Sequence, residues 1–308
     1  MIGIRAVTTF RPEKRTDISE LAEQIGLSEE QTETLRDVRG LSCVMDSEGR
    51  TTYDMLQMVM SRLLEKVDVD PESVACLLYS HAMQSHPGGM MSLESLKSSF
   101  GMEGVPSLSI SGMNCATAIL AFDLAVSRLR ASSKKYAILL FAEKIYTPLM
   151  RKIDDMTVLS DGAAACLIEK GSERNQIMSI SQLVDGKLAS IGNWSEEDYR
   201  WFQLSYFMGV KKVMQASLKL AGVKKEDVRW IIPHNVNKDT WSYAARALEF
   251  PEQHIFTDNI SICGHVNGCD LLINLEDIYN GGSLQPGDDY IMLSVGLGGA
   301  YGCMTIRH

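Results

Sequence analysis

The chain has 308 residues, of which 45% are hydrophobic and 22% are charged. This composition is typical of a folded globular protein and excludes a disordered or fibrous one. The 30 basic and 39 acidic residues give a net charge of −9. Because no long run of positive charge is available to attract phosphate backbones, we expect no nucleic-acid partner.

The N-terminal stretch MIGIRAVTTF is apolar, but Arg5, Arg11 and Lys14 interrupt it too soon for a signal peptide. No run of about 18 apolar residues occurs, so we expect no membrane span. The seven cysteines are scattered and odd in number. They indicate reduced thiols, and together these features predict a cytoplasmic protein.

Nine short apolar or β-branched runs bounded by turn residues predict strands. They are Ile4–Thr9, Val74–Ser80, Pro106–Ser109, Tyr136–Phe141, Ala163–Ile168, Ile177–Val184, Val228–Pro233, Tyr290–Val295 and Cys303–Ile306. Six segments of helical period lie between them. They are Tyr53–Lys66, Gly88–Phe100, Ala116–Ala131, Val210–Ala221, Thr240–Ala247 and Asp270–Gly281. This alternation predicts an α/β fold in which helices cover the sheets.

A polar turn cluster at Gly171–Gln176 predicts a boundary near the middle of the chain. It divides the chain into an N-terminal half, residues 1–172, and a C-terminal half, residues 173–308. Each half has strands and helices in broadly similar order, which favours an internal duplication.

Cys115 follows a short strand with Gly112 and Asn114 and stands at the start of an apolar helix. The N–H groups and the positive dipole at a helix N-terminus favour a thiolate and can bind an oxyanion. We therefore expect Cys115 to be a nucleophile. The alternative is a buried cysteine at the end of a core helix.

Two histidines are candidates for the same site. His234 follows the apolar run VRWIIP, at the C-terminal edge of a strand, where α/β sheets place their chemistry. A hydrogen-bonded structural histidine is the alternative there. His265 lies in a glycine-flanked turn that we expect to follow an apolar strand, NISIC, and to precede a helix. Cys263 and Cys269 flank it, but the C-x-H-x-x-x-C spacing matches no usual zinc site.

Four segments together resemble the thiolase superfamily, and most closely its β-ketoacyl-acyl-carrier-protein synthase III branch. The first contains the nucleophile, and the second resembles the family's F-G-D-G-A-G-A stretch. The third resembles the P-H-Q-A-N motif that carries the catalytic histidine, and the fourth resembles the glycine-rich final turn. In chain order they are Asn114–Ala118, Leu159–Ala165, Pro233–Asn237 and Gly296–Gly302.

The resemblance spans nearly the whole chain. It implies a thiolase-like fold, in which two similar halves form a layered α-β-α-β-α sandwich. It also implies a catalytic set of Cys115, His234 and His265, the last at the position of the family's asparagine, with Asn267 as the substitute if the turn is shifted. Asn237, Asn267 and Gly298 would bind substrate.

The resemblance implies that Cys115 accepts an acyl group from a thioester and that a malonyl-type acceptor then undergoes decarboxylative condensation. The backbone N–H groups of Cys115 and Gly298 would hold the oxyanion, and no metal or redox cofactor is needed. One alternative is transfer to a hydroxyl or amine, with His234 as general base. Another is a catalytically silent partner subunit.

Two departures bear on the acyl donor. Gln31 replaces a tryptophan that stacks on coenzyme A in the family, and Asp155 replaces an arginine. Both favour a donor bound to an acyl carrier protein rather than to coenzyme A. A run of lysines could dock such an acidic carrier. These are Lys211, Lys212, Lys219, Lys224 and Lys225.

The family implies a homodimer. The segment His86–Met91 resembles the loop that reaches the partner's acyl pocket, with His86 in place of a bulky apolar residue. His86 is therefore a candidate substrate-binding residue. Because this replacement changes the pocket, neither the length nor the branching of the acyl chain follows from the sequence.

Overall fold

The computed structural model describes residues 1–82, 93–188 and 195–308. His86 lies outside these ranges. Thirteen strands are assigned within them. They are β1 (Ile2–Phe10), β2 (Arg15–Asp17), β3 (Cys43–Met45), β4 (Val74–Ser80), β5 (Ser107–Ile110), β6 (Tyr136–Glu143), β7 (Lys152–Ile153), β8 (Thr157–Val158), β9 (Gly162–Lys170), β10 (Gln176–Val184), β11 (Val228–Pro233), β12 (Asp289–Gly296) and β13 (Ala300–Arg307).

Nine α-helices lie in the same part of the chain. They are α1 (Ile18–Leu21), α2 (Glu29–Glu33), α3 (Thr52–Lys66), α4 (Leu93–Ser98), α5 (Thr117–Arg130), α6 (Glu196–Ala221), α7 (Lys238–Leu248), α8 (Ile260–Cys263) and α9 (Cys269–Asn280). None of these helices is long and apolar enough to cross a bilayer.

Nine strands form one large sheet in the order β11-β12-β13-β10-β1-β9-β6-β4-β5. The two halves of the chain meet at β1 and β10, which share a single pair, Gly3 and Gln176. Outward from this junction, β10-β13-β12-β11 repeats the arrangement of β1-β9-β6-β4: two antiparallel pairings are followed by a parallel pairing in each half of the sheet.

The helices and the two halves of the large sheet form alternating layers. Helices α5 and α9 each contact strands from both halves, so they form a central layer. Helix α3 covers the outer face of the N-terminal strands, and α6 covers the outer face of the C-terminal ones. Three apolar clusters fill the spaces between these layers. The expected α-β-α-β-α sandwich is confirmed.

All nine predicted strands of the large sheet are present, with boundaries shifted by at most a few residues. The small pairs β2-β3 and β7-β8 were not predicted, because strands of two or three residues show no period. The polar turn at residues 171–175 lies between β9 and β10. Division of the chain into two domains there stays a prediction.

Two expectations were wrong. The run before His265, expected to be a strand, is the short helix α8, in which Cys263 N donates to Asn259 O at 2.8 Å. An apolar run of this length does not distinguish a strand from a buried helical turn. Helix α6 begins at Glu196 rather than Val210, with Ser195 and Asp198 forming a capping box. Exposed apolar residues such as Leu204 conceal its period.

Candidate active site

Cys115 lies in a 3₁₀ turn, Asn114–Ala116, that leads directly into the central helix α5. The approach to this turn is sharply bent, because Gly112 and Asn114 have φ values of 104° and 48°. Ser294 on β12 donates from its Oγ to the carbonyl of Cys115 at 2.8 Å. The fold thus holds the thiol at the N-terminal end of a buried helix.

His265 connects Cys115 to a carboxylate. Its Nε2 lies 3.0 Å from Cys115 Sγ, and its Nδ1 lies 2.5 Å from Asp270 Oδ2. Asp270 is itself held by two backbone N–H groups, those of Asn235 at 2.7 Å and Val266 at 2.8 Å. A nucleophile, a base and a group that orients the base are therefore in line.

The charges of this row reinforce one another. Burial alone would lower the pKa of the His265 imidazole, but the adjacent charges of Cys115 and Asp270 outweigh it and raise that pKa to about 10. His265 is therefore protonated at neutral pH.

Sequence reasoning missed Asp270. This residue occupies the first turn of α9 and has no exposed surface. One signal was available: Asp270 is the only charged residue in the apolar stretch Val266–Leu275. A charge within a buried helix needs a partner, and His265 lies five residues earlier.

His234 directly follows β11 and lies beside His265, with the ring centroids 5.5 Å apart. The His234 ring also contacts Trp241 edge to face, with the ring centroids 5.3 Å apart and the ring planes at 85°. Its Nδ1 is buried and has no hydrogen-bond partner among the described residues. Burial and the nearby charge of His265 lower the pKa of His234 well below its usual value, so this imidazole is neutral.

The two asparagines proposed to bind substrate lie in different places. Asn267 is in the site, where its Oδ1 lies 3.2 Å from Cys115 Sγ. Asn237 caps α7, with Oδ1 accepting from Thr240 N at 2.7 Å, and its Nδ2 donates to Met156 O at 2.9 Å. Both polar groups of Asn237 are therefore engaged in hydrogen bonds within the protein.

The glycine-rich turn between β12 and β13 closes over the nucleophile turn. Asn114 Nδ2 donates to Leu297 O at 2.5 Å, and Gly298 follows with a φ of 101°. A Cβ on Gly296 would lie 2.0 Å from the carbonyl oxygen of Met113. Only glycine permits this approach of the two backbones, which places the turn beside Cys115.

The segment that begins at Leu159 supports His265. Ser160 N donates to the carbonyl of His265 at 2.8 Å, while its Oγ accepts from Met45 N at 3.0 Å. The next residue, Asp161, is fully buried and pairs with Arg151 at 3.2 Å. This segment therefore holds the turn that carries the base.

Cys115 opens onto a small cavity of about 30 Å³. Apolar side chains supply most of its surface. The lining residues are Cys115, Ile153, Met156, Thr157, Phe202, Tyr206, His234, Val236, His265, Val295 and Leu297. The thiol and both imidazoles thus line one cavity.

Two families of known proteins match parts of this chain. The FAE1/type III polyketide synthase-like family matches residues 4–179. The family of 3-oxoacyl-acyl-carrier-protein synthase III C-terminal regions matches residues 218–308. The chain belongs to the thiolase superfamily, in its β-ketoacyl-acyl-carrier-protein synthase III-like branch.

Individual synthase III proteins are similar over much or all of the chain. The β-ketoacyl-acyl-carrier-protein synthase III of Aquifex aeolicus is 25% identical over 67% of this chain and 68% of its own. The crystal structure of this enzyme has a TM-score of 0.85 at 21% identity, covering all of both chains. ChlB3, described as an acyltransferase, has a TM-score of 0.87 at 19% identity, covering 99% of this chain and 97% of its own.

The two departures from the synthase III pattern meet at the surface. Gln31 Nε2 donates to Asp155 Oδ1 at 2.5 Å, and Lys152 Nζ lies 3.4 Å from Gln31 Oε1. The residues that replace the tryptophan and the arginine therefore bind each other. In the described parts of the chain no three His, Cys, Asp or Glu residues cluster as metal ligands, and this includes the surroundings of Cys263 and Cys269.

Proposed function

We propose that this synthase III-like protein is an acyltransferase that carries the acyl group on Cys115 and delivers it to a hydroxyl or amine. The observation that supports this most directly is the position of His265, 3.0 Å from Cys115 Sγ and 2.5 Å from Asp270. This is the arrangement of a nucleophile, a general base and an orienting carboxylate.

In the first step the thiolate of Cys115 attacks the carbonyl carbon of an acyl thioester. The backbone N–H groups of Cys115 and Gly298 stabilise the oxyanion. The bond to the donor sulfur breaks, and that sulfur takes the proton from His265. The products are acyl-Cys115, a free donor thiol and a neutral His265.

In the second step His265 acts as the base. Its Nδ1–H points to Asp270, so its Nε2 lone pair faces the acyl-cysteine. An acceptor hydroxyl or amine attacks the acyl carbon and gives its proton to Nε2. The bond to Cys115 breaks and the thiolate–imidazolium pair is restored.

A second candidate is decarboxylative condensation with a malonyl-type thioester. It needs donors that stabilise an enolate after carbon dioxide leaves. Two polar groups with unused capacity support it, since His234 Nδ1 and Asn267 Nδ2 have no partners among the described residues. The relatives named as β-ketoacyl synthases favour this chemistry.

We propose that the acyl donor is bound to an acyl carrier protein. Lys211, Lys212, Lys219 and Lys224 are exposed on and just after α6, where they could meet an acidic carrier. Lys225 instead donates to the carbonyls at the end of α7. Catalysis without a metal or redox cofactor, and a cytoplasmic location, stay predictions.

We propose that the protein forms a homodimer through an open edge of the large sheet. Strand β5 pairs only with β4 among the described strands, and Leu108 on it is 61% exposed. An open edge with an apolar side chain is suited to pairing with a second chain.

The test is intact-mass analysis of the protein after incubation with an acetyl thioester. We expect an acetyl adduct that is absent from Cys115→Ser. The acylated protein is then given either a primary amine or a malonyl-loaded carrier protein. Loss of the adduct with acyl-amine formation supports transfer, whereas release of carbon dioxide supports condensation. Absence of any adduct would leave the silent-subunit alternative.

A further inference from the structure

Two hydroxyl groups in the cavity have no role in the steps above. Tyr206 projects from α6 and Thr157 from β8, and both line the cavity that contains Cys115. The two residues are 7% and 1% exposed. Neither hydroxyl has a hydrogen-bond partner in the described residues.

A buried hydroxyl without a partner costs free energy, because it has lost its hydrogen bonds to water. Phenylalanine and valine would fill the same spaces without that cost. Most of the surface of this cavity is apolar, and Phe202, Val295 and Leu297 are among its lining residues. Two such groups on separate elements around one cavity indicate that a ligand completes their hydrogen bonds.

The protonation of Tyr206 is suited to this role. Burial, with smaller contributions from Tyr301 and Cys115, raises the pKa of its phenol well above the usual value. The group is therefore a neutral donor throughout the working range. A threonine hydroxyl can donate or accept as the ligand requires.

We propose that Tyr206 and Thr157 form a two-hydroxyl subsite that binds a hydrogen-bonding group of the thioester substrate, next to the carbon that Cys115 attacks. The proposal rests on the proposed function, because the substrate is taken to be a thioester. Two parts of such a substrate carry this chemistry. One is an oxygen substituent on the acyl group, and the other is an amide in the donor arm.

Binding to Cys115→Ala protein tests the subsite without any covalent step. Four ligands are titrated by calorimetry: butyryl and 3-hydroxybutyryl thioesters, each on N-acetylcysteamine, which carries an amide, and on ethanethiol, which does not. Tyr206→Phe and Thr157→Val are added to the Cys115→Ala background, since each removes one hydroxyl and little else. Tyr243→Phe is the matched control, because that tyrosine is 49% exposed on α7.

We expect each of the two changes to weaken binding about three- to tenfold, the usual effect of one neutral hydrogen bond. Weakening confined to the 3-hydroxybutyryl ligands identifies the acyl oxygen as the bound group. Weakening confined to the N-acetylcysteamine ligands identifies the amide. The Tyr243→Phe protein should bind all four as the parent does.

Equal weakening of all four ligands would show a merely structural role and overturn the subsite. Unchanged binding of all four, or no binding by the parent Cys115→Ala protein, would overturn it as well. Failure of the proposed function is seen separately, as the absence of an acyl adduct on Cys115 in the unmodified protein. The two results are distinguishable, because the binding measurement does not need the thiol.

Discussion

His265 and His234 lie side by side in the site and are equally buried, with 1% and 2% of their surfaces exposed. Their surroundings differ. Both ring nitrogens of His265 are engaged, by Cys115 and by Asp270, whereas Nδ1 of His234 has no partner in the described structure. Their pKa values therefore move in opposite directions, up to about 10 for His265 and down for His234.

This contrast shows that the residue type and its depth do not decide what an imidazole does. Burial lowers the pKa of both rings, and only the negatively charged neighbours of His265 reverse the effect. His265 is thereby suited to exchanging protons with Cys115 and the substrate. His234 is suited to forming hydrogen bonds while it stays neutral.

The largest expected effect comes from removing the carboxylate that distinguishes the two rings. Asp270→Asn should slow acylation of Cys115 by about 10³- to 10⁴-fold, as an equivalent change does in Ser-His-Asp triads, because the base loses its orientation and its favoured charge. The rate of adduct formation is measured by intact-mass analysis of reactions quenched at successive times. Asp123→Asn on α5 is the control, since Asp123 binds Gln182 away from the site. Acylation of Asp270→Asn within tenfold of wild type would contradict the proposed triad.

Removing each imidazole in turn tests whether His265 and His234 have different tasks. His265→Ala should slow acylation about 10²- to 10⁴-fold, the usual range for a general acid–base group. His234→Ala should slow it less than about tenfold, because neither proposed step has His234 carry a proton. Single-turnover measurements of acylation and of acyl transfer separate the two. Equal effects of both variants on acylation would show that the imidazoles share one task.

The close approach of β12 to the nucleophile turn holds the thiol against His265. In Gly296→Ala the new Cβ would meet the Met113 carbonyl at 2.0 Å, so the turn must move. We expect a loss of about 1–3 kcal/mol in the free energy of unfolding, measured by urea denaturation, together with slower acylation. Gly104→Ala, where a Cβ meets no atom within 4 Å, is the control. Wild-type stability and acylation rate in Gly296→Ala would show that the approach is not required.

The smallest expected effect is the pH dependence of stability that His234 confers. Its folded-state pKa lies below the ordinary value of 6.5, so the unfolded chain takes up the proton first as the pH falls below 6.5. The stabilisation is therefore complete above about pH 6.5 and is lost on acidification. Between pH 7.5 and 5.5 wild type should lose more free energy of unfolding than His234→Gln, with a slope difference of up to about 1.4 kcal/mol per pH unit. Parallel urea-denaturation curves at the two pH values would contradict a neutral His234.

Much of the scaffold follows from local patterns. The nine strands of the large sheet show as short apolar runs, and α3, α5, α7 and α9 show as helical periods. Helix α6 is recognisable only in its second half, because its first half exposes apolar residues such as Trp201 and Leu204. The run Ile260–Cys263 is too short for its period to distinguish a helix from a strand.

For the site, the sequence by itself determined the chemical types and the positions at element ends: a thiol at a helix start and an imidazole at a strand end. Only the tertiary structure decided that His265 meets Asp270, that Asn237 caps a helix, and that two hydroxyls line the cavity. The reason is physical. Local patterns record which residues are buried, whereas hydrogen bonds and charge pairing depend on distances between elements far apart along the chain.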